Sequence, residues 1–214
     1  MTARRANEGM RRPFVRAGEE ARRAALIEAT LDLIAEGGPQ AATVRAIALR
    51  AGVTPGLIRH YFATKEDLVA AAHESLMTGL TDANNASLDH LPDDPGARLA
   101  GFIGNAVSPP VADPRAVALW AASMQLVPRD PAMRAVHEAT YLAFRDRLQT
   151  LIADALHAAG RDDDPRALAI AGNAVLDGLW IEAGALPELF APAELKGIAI
   201  KAFSRLLEIE LPEG

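Results

Sequence analysis

The residues best equipped for chemistry lie within one short stretch. They are Thr54, Pro55, Gly56, Arg59, His60 and Tyr61, with Thr43 and Arg45 upstream and Lys65 downstream. Hydroxyl, guanidinium, imidazole and ammonium groups donate hydrogen bonds. They suit the phosphate oxygens and acceptor-rich base edges of duplex DNA. Thr54, Pro55 and Gly56 are small enough for close approach to a groove, and Arg59 and His60 reach further. Catalytic sets are missing. His60, His73, His90, His137 and His157 are scattered, with no i, i+4 pair and no H-E-x-x-H. There is no G-x-S-x-G and no Walker A loop, and Ser108 and Ser123 lack an evident base. Asp162-Asp163-Asp164 lacks the spaced ligands of a calcium loop and reads as a capped turn. The expectation is recognition rather than an enzyme, with no metal and no cofactor.

Two short helices must position those donors. Val44, Ile47, Ala48 and Ala51 recur at i, i+3, i+4, i+7, one apolar stripe of a first helix. Gly52 suits the left-handed residue of the turn. Thr54 then caps a second helix through its hydroxyl, with Pro55 at the first helical position. Leu57, Ile58, Tyr61 and Phe62 give this second helix an inner face, leaving Thr54, Gly56, Arg59, His60 and the Tyr61 hydroxyl outside. The pair reads as a helix-turn-helix whose second member is a recognition helix. A helix over 19–36, with Leu26, Ala29, Leu33 and Ile34 inward, packs behind it to complete three helices.

The run T-V-R-A-I-A-L-R-A-G-V-T-P-G-L-I-R-H-Y-F-A-T-K-E-D-L resembles the tetracycline-repressor (TetR) family of one-component regulators. The likeness covers residues 19–80. It implies a dimeric DNA-binding protein whose C-terminal domain holds a small-molecule pocket. It also implies that Thr43, Thr54, Tyr61 and Lys65 contact phosphates while the exposed residues of the second helix read bases. The sequence departs at Arg59, where many members carry an aromatic residue.

Charge distribution points the same way without any family. The chain of 214 residues has a net charge of −6. Residues 1–65 hold 11 Lys and Arg against 6 Asp and Glu, and residues 66–214 hold 11 against 22. A basic end on an acidic protein is what contacts that release counterions from DNA require. Residues 1–18, with Arg4, Arg5, Arg11, Arg12 and Arg16, read as a flexible basic arm able to lie along DNA.

Half of the residues are hydrophobic and 5% are aromatic. With no alternating runs, the fold class is all-α: a three-helix helix-turn-helix domain over 19–64 and a C-terminal helical bundle over 65–214. There is no Cys, which excludes disulfides and thiolate metal sites. No apolar run approaches the roughly 20 residues of a membrane span. The Arg-rich start lacks the apolar core of a signal peptide, so a cytoplasmic protein is expected. A helix over 64–91 links the domains, with Val69, Ala72, Leu76 and Leu80 as its stripe. Further helices follow near 95–107, 113–127, 131–158, 163–184 and 192–210. Asp113-Pro114, Asp130-Pro131 and Asp164-Pro165 mark three of the starts. The helices over 163–184 and 192–210 have broad apolar faces. With Ala171, Gly172 and Gly178 allowing close approach, they are expected to form a homodimer through a four-helix interface. A palindromic operator would then present half-sites about 34–36 Å apart.

Asn173 to Pro187 (N-A-V-L-D-G-L-W-I-E-A-G-A-L-P) and Ala118 to Met124 (A-L-W-A-A-S-M) are similar to the choline-responsive betaine-regulator branch of that family. This likeness implies repression relieved by a small inducer, a quaternary ammonium ion among the candidates. Such a cation needs aromatic faces and a carboxylate. Phe102, Trp120, Tyr141, Phe144 and Trp180, with Asp177 or Glu182, supply those types, although each aromatic also fits a core and Asp177 and Trp180 also fit a dimer seam. Two other readings compete with the regulator: a helical adaptor module whose helix-turn-helix only packs, and a small all-α enzyme.

Overall fold

The computed structural model describes the backbone of residues 3–191 and 193–212, and the side chains of those from residue 18 onward except Pro187. Among the described residues the regular structure is entirely helical. The α-helices are α1 (Ala3–Gly37), α2 (Val44–Arg50), α3 (Pro55–Tyr61), α4 (Lys65–Ala86), α5 (Pro95–Ala106), α6 (Pro114–Met124), α7 (Pro131–Ala158), α8 (Pro165–Ala185) and α9 (Glu194–Leu207). Single 3-10 turns follow α4 at Ser87–His90 and α8 at Pro187–Leu189.

The chain divides into two compact units, residues 1–73 and 74–214. The boundary falls inside α4 rather than at its start. Leu68 and Ala72 of its first turns are completely buried and belong to the first unit. The first helix also begins earlier than residue 19. Ala, Arg, Glu and Met are strong helix formers, and one Pro and two Gly do not outweigh them over residues 3–18. The expected basic arm is therefore helical backbone from Ala3 on. Its side chains through residue 17 lie outside the described residues, as do Met1 and Thr2 altogether.

In the first unit α2 packs on α1 and α3 on α2. Leu26, Ile27, Leu31, Ile34, Ile47, Ala48, Ile58 and Phe62 form the buried apolar set. Leu33, expected inside, is half-exposed, and Ile27 and Leu31 take the inner positions. Gly52 adopts φ +66, the left-handed turn that a side chain would strain.

The second unit joins the end of α4 to a bundle in which α7 packs against α8 and α5, and α9 against α5 and α8. Four aspartates set where its helices begin. Asp94 accepts from the Ala97 N–H at 2.7 Å, and Asp113 from Arg115 and Ala116 at 2.8 and 3.0 Å. Asp130 accepts from Ala132 and Met133 at 2.8 and 3.1 Å, and Asp164 from Arg166 at 2.9 Å. Each precedes a proline whose fixed φ suits the first helical position. Leu99, Phe102, Ile103, Leu148, Ile152, Ala199 and Phe203 fill the core. Gly172 serves this core rather than a second chain, because a Cβ there would come within 2.6 Å of the Phe203 ring. Gly178 faces open space and Ala171 is exposed.

Candidate functional site

The first site is the outer face of the helix-turn-helix. Thr43 caps α2, its hydroxyl accepting from the Ala46 N–H at 3.2 Å. Thr54 occupies the capping position of α3 in extended conformation, yet its hydroxyl makes no capping bond, contrary to expectation. The Thr54 side chain is exposed. Arg45, Pro55, Gly56, Arg59 and His60 are exposed, and Tyr61 is half-buried. The His60 and Tyr61 rings meet edge to face, centroids 5.2 Å apart and planes at 82°. Ile58 and Phe62 behind them are buried and hold the helix by its inner face. Thr64 and Asp67 cap the start of α4 reciprocally. The Asp67 N–H donates to the Thr64 hydroxyl and the Thr64 N–H to the Asp67 carboxylate, both at 3.0 Å. Lys65, in that first turn, lies 3.9 Å from Glu66.

Not every cation near this face is available. Arg50 makes a two-pronged bond to Glu36 at 2.9 and 2.6 Å and lies 3.6 Å from Asp32. That bond holds the Glu36 carboxyl below its ordinary range and the guanidinium above its own. Arg50 fastens α2 to α1, leaving Arg45, Arg59, His60 and Lys65 as the donors on offer.

The second site is a cavity inside the second unit, about 60 Å³ in volume. Five of the six residues expected at a ligand site line it: Trp120 from α6, Tyr141 and Phe144 from α7, Asp177 and Trp180 from α8. Phe102 stands behind them, fully buried, with its ring 5.1 Å from that of Phe144. Glu182 is exposed and does not line the cavity. Met77, Leu80 and Thr81 of α4, Ala106 of α5, His137 of α7 and Asn173 and Leu176 of α8 also line the walls. The two tryptophans meet edge to face with centroids 6.2 Å apart. The Trp180 indole N–H donates to the Ala106 carbonyl at 2.6 Å, which fixes its plane. Asn173 is buried and donates to Asp177 at 2.9 Å, and its amide nitrogen lies 3.4 Å from the Tyr141 hydroxyl. Burial pushes the Asp177 carboxyl up to about 6 and lowers the His137 imidazole from its usual range. The result is a carboxylate against aromatic walls with little water to solvate it. Such a place stabilises a compact cation.

Residues 26–72 match the family described as bacterial regulatory proteins of the tetR family. Residues 95–208, more than half of the chain, match the C-terminal domain of the BetI-type transcriptional repressors. The chain belongs to the TetR family. The HTH-type transcriptional regulator BetI 2 of Chromohalobacter salexigens is 35% identical over 196 residues, covering 88% of this chain and 90% of the relative. Among solved structures, a transcriptional regulator from Pseudomonas aeruginosa PAO1 superposes with a TM-score of 0.82 at 34% identity, covering 89% of this chain and 91% of that one. A regulator from Saccharomonospora viridis, solved in complex with choline, shares the fold at a TM-score of 0.69 and 21% identity, over 89% and 96% of the two chains.

Within this TetR-family chain, sequence reasoning missed His137 and Asn173. A lone His and a lone Asn on amphipathic helices carry no spacing signal. The one available hint is that Asn173 and Asp177 lie at i, i+4 and so share a helix face. No helix among the described residues is long and apolar enough to cross a membrane.

Proposed function

We propose that this TetR-family regulator represses transcription as a homodimer on a palindromic operator and is released by a small cation of the quaternary-ammonium class. The observation that carries the reading is the pairing of a desolvated carboxylate, Asp177, with the tryptophans of one small cavity. Cations gain most from aromatic faces where water is excluded. The cavity volume is far short of a long acyl chain. The choline complex of the Saccharomonospora viridis protein fits the same class.

DNA contact is assigned residue by residue. Thr43, Thr54, Tyr61 and Lys65 hold phosphates and fix register. Arg59 and His60, with Thr54, Pro55 and Gly56 allowing close approach, read base edges, and Arg45 adds a donor from α2. The second copy docks on α8 and α9, where Ile170, Ile181 and Ile198 remain 38%, 54% and 42% exposed. Ligand selects the conformation whose two recognition helices are wrongly spaced for successive grooves. By linkage, ligand and operator weaken each other's binding by about 1–3 kcal/mol. Met77, Leu80 and Thr81 of α4 line the cavity, and α4 begins in the DNA-binding unit, which supports this helix as the link.

Selection of operator sequences from random duplex, with and without millimolar choline, tests the reading. Recovery of a palindrome whose retention falls with choline supports it. Binding of every sequence alike, or of none, supports the adaptor alternative.

A further inference from the structure

A cavity walled by helices needs a way in, and most of its seams are shut. Around it α8 packs against α6 and α7, and α7 against α5. Phe102 and Ile103 of α5, Leu148 and Ile152 of α7 and Leu176 of α8 are buried in one continuous core there. The seam between α4 and α7 is different. It carries an open groove of about 350 Å³, lined among others by Glu74, Thr81 and Asp82 of α4 and by Ala139, Thr140 and Ala143 of α7.

Groove and cavity stand back to back, and Thr81 lines both. On α4, Met77 and Leu80 face the cavity while Thr78 and Asp82 face the groove. On α7, Tyr141 and Phe144 face the cavity while their chain neighbours Thr140 and Ala143 face the groove. At about 100° per residue, the two faces of each helix lie roughly a quarter to a third of a turn apart. What separates the two spaces is therefore small. Thr140 spends its hydroxyl inside its own helix, on the Val136 and His137 carbonyls at 3.0 and 3.2 Å. Met77, one turn before Thr81, is an unbranched side chain that changes shape at little cost. Ala139 and Ala143 are exposed and too small to cover the groove.

Charge gives the groove a direction. Its ionisable lining residues are Glu74 and Asp82, both exposed, and no Lys, Arg or His lines it. Carboxylates at a cleft raise the local concentration of cations and repel anions. None of the lining residues belongs to α8 or α9, the helices proposed to meet a second copy. We propose that this groove is the entrance through which a cationic ligand reaches the cavity, a proposal that rests on the cation reading above.

Stopped-flow mixing of the full chain with choline measures entry and exit, read by the fluorescence of Trp120 and Trp180, the chain's two tryptophans. Ala143→Phe sets a ring in the groove. An obstacle on a path raises the barrier in both directions, so association and dissociation should both slow by about tenfold or more with Kd unchanged. Ala143→Ser leaves the groove open and should keep both wild-type rates. Glu74→Gln combined with Asp82→Asn should slow association several-fold at low salt, a difference that vanishes near about 1 M salt. Wild-type rates in Ala143→Phe, or a change confined to dissociation, overturn the entrance and leave the cavity as the ligand site. Absence of any choline binding to the wild type overturns the cation reading and the entrance together. Should Ala143→Phe lose helical content by circular dichroism, Ala139→Phe and the doubly neutralised variant decide, and wild-type rates in both overturn the proposal.

Discussion

Asp177 is the residue through which pH should act on the proposed ligand site. Burial penalises the charged form and pushes its carboxyl up to about 6 from the ordinary 3.8. A folded value above the unfolded one means that the ionised group costs stability at neutral pH. That cost fades as pH falls through about 6 toward 3.8. A bound cation acts in the opposite sense, since it favours the carboxylate. The rise in Tm given by saturating choline should be full at pH 7.5 and shrink below pH 6. Asp177→Asn keeps the shape and removes the charge. Its expected outcome is a ligand-free Tm at pH 7.5 no lower than wild type, choline affinity reduced at least about tenfold, and little dependence of that affinity on pH between 7 and 5. Unchanged choline affinity would remove Asp177 from the site.

At the same scale, the proposed DNA contacts of the helix-turn-helix separate into two kinds. Arg59→Ala should weaken operator binding by about 1–3 kcal/mol and relax discrimination while leaving random-duplex binding nearly intact. Lys65→Ala should weaken operator and random duplex alike and lower the slope of log affinity against log salt by about 1. Fluorescence anisotropy across a salt series reads both. Equal losses on the two duplexes for Arg59→Ala would deny it a base-reading role.

Elements explain what could be read before the structure and what could not. Asp113, Asp130 and Asp164 each stand before a proline, two residue-local signals that agree, and three helix starts follow from them within a residue or two. The inner faces of α2 and α3 were equally legible, because Ile47, Ala48 and Ile58 repeat at helical spacing and are buried. The cavity was legible only as residue types. Trp120, Tyr141 and Asp177 come together through the packing of α6, α7 and α8, and no local pattern reports which faces of three helices meet. Gly172 shows the same limit, since a small residue permits close approach without saying whether Phe203 of the same chain or a second chain will approach. The uncapped start of α3 was missed because a preference for Thr at the capping position is a tendency and does not require the bond. The caps give a direct test. Asp130→Ala should lose about 0.5–2 kcal/mol. That corresponds to roughly 1–8 °C in Tm at about 2–4 °C per kcal/mol. Choline affinity should be unchanged if the α7 wall holds. Calorimetric melting with and without choline measures both.

For the whole molecule, charge and exposed apolar surface ask for different partners. The positive surplus of residues 1–65 suits DNA, and the acidic remainder resists it. Ile181, 54% exposed on α8, together with Ile170 and Ile198, suits a second copy of the chain. A twofold interface is self-complementary, so one substitution strikes both sides of it. Ile181→Arg places two guanidinium groups in one apolar seam and should leave a folded chain with wild-type helical content by circular dichroism. Sedimentation at micromolar concentration should then show a single chain where wild type shows a pair. Operator affinity should fall steeply, because one recognition helix can occupy only one half-site, while the weak affinity of one unit for random duplex survives. A variant that still sediments as a pair, or a wild type that sediments as a single chain, would require the two recognition helices to be brought together by some other surface.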